Sequence, residues 1–142
     1  MRALFDVNVL IALLDADHVL HRRARTWVED HIDEGWASCP ITQNGYVRIV
    51  SGAGYANPLA PADALDRLAS ACADRHHQFW PDDVSALDTK LVDWGRVFGS
   101  RQLTDVYLLA LTVKHGGRLL TLDTTMTANA VRGAKPQHIV KL

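Results

Sequence analysis

A three-layer α/β/α sandwich around a mainly parallel sheet of about five strands is the fold this sequence predicts. Short apolar runs alternate along the chain with longer segments of helical periodicity. Within the runs the apolar character is continuous, as expected of strands covered on both faces in a parallel sheet. Glycine and proline fall between the segments and punctuate them.

The elements follow in order. Arg2-Ala3-Leu4-Phe5 reads as a buried strand ending at Asp6, and Val7 to Leu14, apolar on nearly all sides, as a short buried helix. From His18 to Asp33 the apolar positions Leu20, Ala24, Trp27, Val28 and Ile32 share one helical face, opposite Arg22, Arg25 and Glu29. Gly35 breaks that helix. Trp36 to Cys39 is a second strand stopped by Pro40, and a helix runs from about Thr42 to Val50. Residues 51–61 have the composition of a loop, and Pro61 opens a helix with Leu65, Leu68, Ala69 and Cys72 at core spacing. Gln78 to Trp80 forms the third strand, ended by Pro81. Ser85 and Asp88 resemble a capping box for a helix carrying Leu87, Leu91, Trp94 and Phe98 inward. Thr104 caps the next helix, which reaches His115 and ends at Gly116-Gly117; its apolar run from Val106 to Val113 marks it as central. Arg118 to Thr121 is the fourth strand and His138 to Val140 the fifth.

The 142 residues suit one domain spanning 1–142, and 48% hydrophobic with 22% charged residues is ordinary globular usage. A net charge of −1 gives no bulk attraction to a polyanion, so nucleic-acid binding requires a local patch. Cys39 and Cys72 lack metal-ligand spacing and are too few for a disulfide framework; they read as small core residues in a reducing compartment. No apolar run approaches the roughly 20 residues that cross a bilayer, and the N-terminus lacks the marks of a secretory signal. A cytoplasmic protein is expected.

Asp6, Gln43, Asp105 and Asp123 each stand where a strand yields to a helix or a helix begins. In open parallel sheets, sites form outside the carboxyl ends of the strands, near the point where strand order reverses. Each residue alone has a plainer explanation: Asp6 as a helix cap, Asp105 as a first-turn partner of the helix dipole, Asp123 as a turn former. Three aspartates at one sheet edge exceed what capping requires, and crowded carboxylates call for a cation. Carboxylate oxygens without His or Cys suit Mg²⁺ or Mn²⁺. The seven histidines read as helix-surface and helix-end residues rather than ligands. Arg48 stands near Gln43 on the same helix and is a candidate phosphate contact, beside its plainer role in a surface ion pair.

The runs Asp6-Val7-Asn8-Val9-Leu10-Ile11, Thr42-Gln43-Asn44-Gly45-Tyr46-Val47-Arg48, Leu103-Thr104-Asp105-Val106-Tyr107-Leu108-Leu109-Ala110 and Leu120-Thr121-Leu122-Asp123 resemble the signature blocks of PIN domains, and more narrowly of VapC-type toxins of bacterial toxin–antitoxin pairs. The likeness covers the whole chain in order. It implies a cytoplasmic ribonuclease whose Asp6, Asp105 and Asp123 hold Mg²⁺, with Mn²⁺ as a substitute. It also implies a small antitoxin that blocks the site, and a homodimer. The sequence departs from the family at Gln43, where Glu is common. One negative charge fewer weakens a second cation more than the first.

The expected chemistry is in-line attack on the RNA backbone by metal-activated water, leaving 5′-phosphate and 3′-hydroxyl ends. Asn8, Gln43, Thr104 and Thr121 would orient ligands or waters. A structured RNA, transfer or ribosomal, fits better than duplex DNA, because unpaired loops expose their bases. Two other readings have distinct signatures. A silenced PIN domain would bind RNA or a protein without cleaving it. A phosphotransfer domain using Asp6 as nucleophile would form an aspartyl phosphate, although Asn8 stands where such an enzyme has a second Asp.

Overall fold

The computed structural model describes residues 1–142. Five short strands, β1 (Ala3–Phe5), β2 (Trp36–Ser38), β3 (His77–Phe79), β4 (Arg118–Thr121) and β5 (Ile139–Lys141), form one sheet in the order β3-β2-β1-β4-β5. Every pairing is parallel. The helices are α1 (Val7–Leu14), α2 (His21–His31), α3 (Pro40–Val50), α4 (Pro61–Cys72) and α5 (Leu103–Lys114).

Successive strand residues point to opposite faces, and the core divides accordingly. Ala3, Phe5 and Leu120 pack with α1, Tyr46 and Val50 of α3, and Leu68 of α4. Leu4 and Leu119 face the other way, onto Val106, Leu108, Leu109 and Leu111 of α5, with Trp80 and Met126. The continuous apolar character of β1 and β4 therefore reflects two separate cores. The edge strand β3 departs from it, since Gln78 and Phe79 are exposed. No helix is long and apolar enough to cross a membrane.

Several boundaries differ from the sequence expectation. Pro40 opens α3 rather than standing apart from it: it occupies the first helical turn, where its missing N–H has no partner to lose, while the Thr42 hydroxyl accepts from the Cys39 N–H at 3.0 Å. The second helix starts at His21 instead of His18, because the His18 ring accepts the Leu20 N–H at 3.1 Å and holds a turn there. The third and fifth strands are shifted by one residue, to His77–Phe79 and Ile139–Lys141. On α4 the inward residues are Ala64 and Leu68, whereas Leu65 is 55% exposed.

The expected helix from Ser85 to Phe98 does not form. Leu87 and Phe98 are 90% and 88% exposed, and the segment contains turns, a 3-10 turn at Trp94–Arg96 and one isolated bridge residue, Val92. Local side chains capture its backbone: Ser85 Oγ accepts from Leu87 N–H, Asp88 Oδ1 from Lys90 N–H and Asp93 Oδ1 from Gly95 N–H. The C-terminal segment takes more of it. Asp93 N–H donates to Ala130 O at 2.8 Å and Arg132 N–H to Leu91 O at 2.8 Å, around an antiparallel bridge between Val92 and Val131. Thr104 likewise does not cap α5; Gln102 holds the cap position, and Thr104 is an exposed residue inside the first turn.

Candidate active site

Strand order reverses between β1 and β4. From β1 the chain builds outward through β2 and β3, then returns to place β4 on the other side of β1. The carboxyl ends of β1 and β4 therefore flank the crevice where open α/β sheets bind ligands. Asp6 directly follows β1 and Asp123 follows β4 by two residues.

Asp6 caps α1 and lies buried at the end of β1. It is 6% exposed, and its extended backbone leads into α1. Its Oδ1 accepts from the Val7 N–H at 2.6 Å and its Oδ2 from the Thr121 hydroxyl at 3.0 Å. Thr121 Oγ1 in turn accepts the Asp123 N–H at 3.1 Å, so one buried hydroxyl ties the ends of β1 and β4 together. Asp123 Oδ1 takes the Thr125 N–H at 2.7 Å and the Thr125 hydroxyl at 2.6 Å; its Oδ2 accepts no hydrogen bond. Asp105 comes from the first turn of α5, and it lines a small pocket together with Asp123, Arg96, Gln102 and Thr125.

The electrostatics connect the three carboxylates. Burial, then the charges of Asp6 and Asp123, push the Asp105 carboxyl up to about 6. Burial also raises Asp6, opposed by its bonds to Thr121 and Val7 and assisted by Asp123. Asp123 is lowered, chiefly by Thr125. The ion pairs of the chain all involve other carboxylates, so no protein cation is bonded to any of the three. No three His, Cys, Asp or Glu side chains close on a single point.

The remaining expected site residues are more dispersed. Gln43 is half-buried, and its Nε2 donates to Ser38 Oγ at 2.9 Å; that hydroxyl also bonds His77 Nε2 at 2.8 Å. Gln43 borders a groove between α3 and α4 with Leu68 and Cys72, and no hydrogen bond joins it to the aspartates. Asn8 is exposed in the first turn of α1, and Arg48 is exposed on α3 outside every ion pair.

Four participants escaped the sequence reading. Thr125 had a legible signal, because a hydroxyl two residues after an aspartate commonly closes a turn with it. Arg96 was hidden by assigning its segment to a helix, and Gln102 by placing the start of α5 at Thr104. Ser38 carried no signal beyond being small and in a strand.

With the geometry in view, comparison with known proteins is specific. A family model described as the PIN domain matches residues 3–131. The protein called Ribonuclease VapC44 from Mycobacterium tuberculosis is 53% identical over 142 residues, all of each chain. Ribonuclease VapC39 from the same organism is 42% identical over 134 residues, 94% of this chain and 96% of that one. Among solved structures, VapBC2 from Rickettsia felis bound to a DNA fragment from their promoter matches with a TM-score of 0.66 at 12% identity, over 100% of this chain and 99% of that one. That likeness concerns the fold.

Proposed function

The chain belongs to the PIN-domain family, and we propose that it is a divalent-metal-dependent endoribonuclease, the toxin of a VapBC-type toxin–antitoxin pair. The observation that carries the metal-dependent reading is the set of Asp6, Asp105 and Asp123 at the switch point, coupled in charge and bonded to no protein cation. Identities of 53% over the whole chain and 42% over 94% of it, to proteins called ribonucleases, support the activity.

The donor set fits Mg²⁺ or Mn²⁺. The three aspartates offer carboxylate oxygens, and the Asp105 carboxyl is raised first by burial and then by the charges of Asp6 and Asp123, a penalty that a bound cation would offset. The carboxylates do not enclose a point, yet Mg²⁺ retains several waters and needs one or two direct carboxylates, so a loose trio suits it better than a tight cage. When bound, such an ion supplies a Lewis acid for a phosphoryl oxygen and acidifies a water. The protein's part is orientation. Thr121 holds Asp6 in one rotamer, Thr125 fixes one oxygen of Asp123 and leaves the other available, and α5 carries Asp105 on a rigid, core-packed helix. The substrate we propose is an unpaired loop of a transfer or ribosomal RNA. A small antitoxin that covers the pocket is the proposed partner, in line with the VapBC assembly of the R. felis neighbour.

Purified, antitoxin-free protein incubated with total RNA and Mn²⁺ should generate new 5′-phosphate ends, and EDTA should remove them. Cleavage that persists in EDTA would overturn the metal reading. Asp105→Asn should lose cleavage yet stabilise the fold. A carboxyl raised to about 6 disfavours the folded state once ionised; the penalty is complete above about pH 6 and disappears as pH falls toward the unfolded value of 3.8. At pH 7 the variant's Tm should exceed that of wild type by roughly 2–4 °C, about 1 kcal/mol after solvent screening. An unchanged or lower Tm by calorimetry would contradict the penalty that burial and the neighbouring carboxylates place on the Asp105 charge. Gln43→Glu should alter the Mn²⁺ dependence of cleavage by less than about twofold, because the Ser38 hydroxyl, which accepts from the Gln43 amide, can turn to donate to a carboxylate and keep that side chain in place. A metal titration showing a large gain in affinity would place residue 43 in the ion's field instead.

A further inference from the structure

A second cleft, of about 720 Å³, adjoins the acidic pocket and shares Arg96, Met126 and Thr127 with it. That volume lies within the roughly 300–1,000 Å³ of small-molecule sites. Arg96, Arg132 and Lys141 border the cleft with Asp93 as the one carboxylate, so it is locally positive in a chain of net charge −1. Each cation is aimed by a backbone carbonyl: Arg96 Nη1 donates to Asn129 O at 3.4 Å, Arg132 Nε to Thr89 O at 3.1 Å and Lys141 Nζ to Thr124 O at 2.8 Å. Asp93 Oδ2 lies 3.4 Å from Arg96 Nε and 3.8 Å from Arg132 Nη2, which keeps the two guanidinium groups side by side. The cleft also has an apolar lining, including Met126, Val131 and Ile139.

As purely structural features these ion pairs are weak. The arginine side chains are 61% and 58% exposed, and such surface pairs contribute about 0–1 kcal/mol. A positive cleft opening from an acidic pocket has another use. RNA threaded through the acidic pocket carries a phosphate on every nucleotide, and the crowded aspartates repel each one that a cation does not cover. The adjoining cleft provides both cover for a phosphate and an apolar lining for a base. We infer that it is the subsite for the nucleotide next to the scissile phosphate of a single-stranded RNA, with Arg96 and Arg132 on its phosphate and the Met126–Ile139 surface against its base. The inference rests on the ribonuclease reading and adds the residues that hold the substrate beside the cut.

The test compares Asp6→Asn protein, expected to leave RNA uncut, with the same protein also carrying Arg96→Ala and Arg132→Ala. Each binds a labelled random-sequence 12-nucleotide RNA pool in Mg²⁺ across a salt series. The expected result is at least about tenfold weaker binding, with the slope of log affinity on log salt reduced by about 0.7, the value for one lost single-strand phosphate contact. Arg96→Lys with Arg132→Lys should restore the slope while recovering affinity only in part, because the charge returns without the planar fork. Affinity and slope equal to those of the Asp6→Asn parent would overturn the subsite. If wild-type protein also cuts total RNA, that result removes the subsite alone; if wild type neither binds nor cuts RNA, the ribonuclease reading fails and the subsite with it. Circular-dichroism melts confirm that each variant is folded.

Discussion

Asp6→Asn should reduce RNA cleavage by about 10³-fold or more, the scale of losing a group that acts in the transition state, while the domain remains folded. The two halves of this expectation come from different bonds. The Asp6 carboxylate is the member of the acidic trio that follows β1 at the sheet's reversal point, and the variant withdraws its charge from the proposed cation. Its structural duties survive the change. The Asn Oδ1 still accepts the Val7 N–H, as Asn is a good helix cap. The new amide can donate to Thr121 Oγ1 once that buried hydroxyl turns its hydrogen away, at a cost of about 1 kcal/mol for the bond it gives up. Burial already disfavours the charged form of Asp6, so losing the charge relieves the fold. The measurement is single-turnover cleavage in Mn²⁺ beside a thermal melt. Cleavage within tenfold of wild type, at an unchanged melting temperature, would remove Asp6 from the chemistry.

Leu109→Ala should give the largest loss of stability. Leu109 is fully buried in the layer between α5 and the sheet, among Leu108, Leu111, Leu4 and Leu119. Truncating a leucine in such a place costs about 2–5 kcal/mol, because the lost transfer energy is joined by a cavity that close-packed neighbours cannot collapse to fill. For a domain of this size that is roughly a 10 °C fall in Tm. The matched control is Leu87→Ala. The sequence pattern placed Leu87 inward on a helix, whereas it is 90% exposed, so its removal should change stability by less than about 0.5 kcal/mol. Equal losses for the two variants, measured by urea denaturation, would reinstate the helix over residues 85–98. A fall confined to Leu109 supports the turns seen there, and it weakens the mounting of Asp105 on the same helix.

These cases divide what the residue pattern carries from what it omits. The alternation of strands and helices was legible because periodicity is local: Val7–Leu14 and Arg118–Thr121 have the expected limits in the structure. The aspartates were legible for a related reason, since each marks the end of a strand or the start of a helix within a few residues of sequence. The segment from Ser85 to Phe98 was not. Its apolar spacing favours a helix, but hydrogen bonds to Ala130 and from Arg132 override it, and those partners lie dozens of residues away. The same segment carries Arg96, so the error over secondary structure also concealed the positive cleft.

The sequence by itself determined the fold class, the order of its five strands and of every helix except the expected one over residues 85–98, and the acidic residues at their junctions, because all of these are encoded in short-range spacing and residue type. Tertiary structure alone decided that Thr121 joins Asp6 to Asp123, that Gln43 turns to Ser38, and that Arg96 and Arg132 meet at Asp93. Each of those contacts depends on which strands become neighbours and where a loop lands on the core. Such outcomes follow from long-range packing, on which the spacing of residues within a segment carries no information.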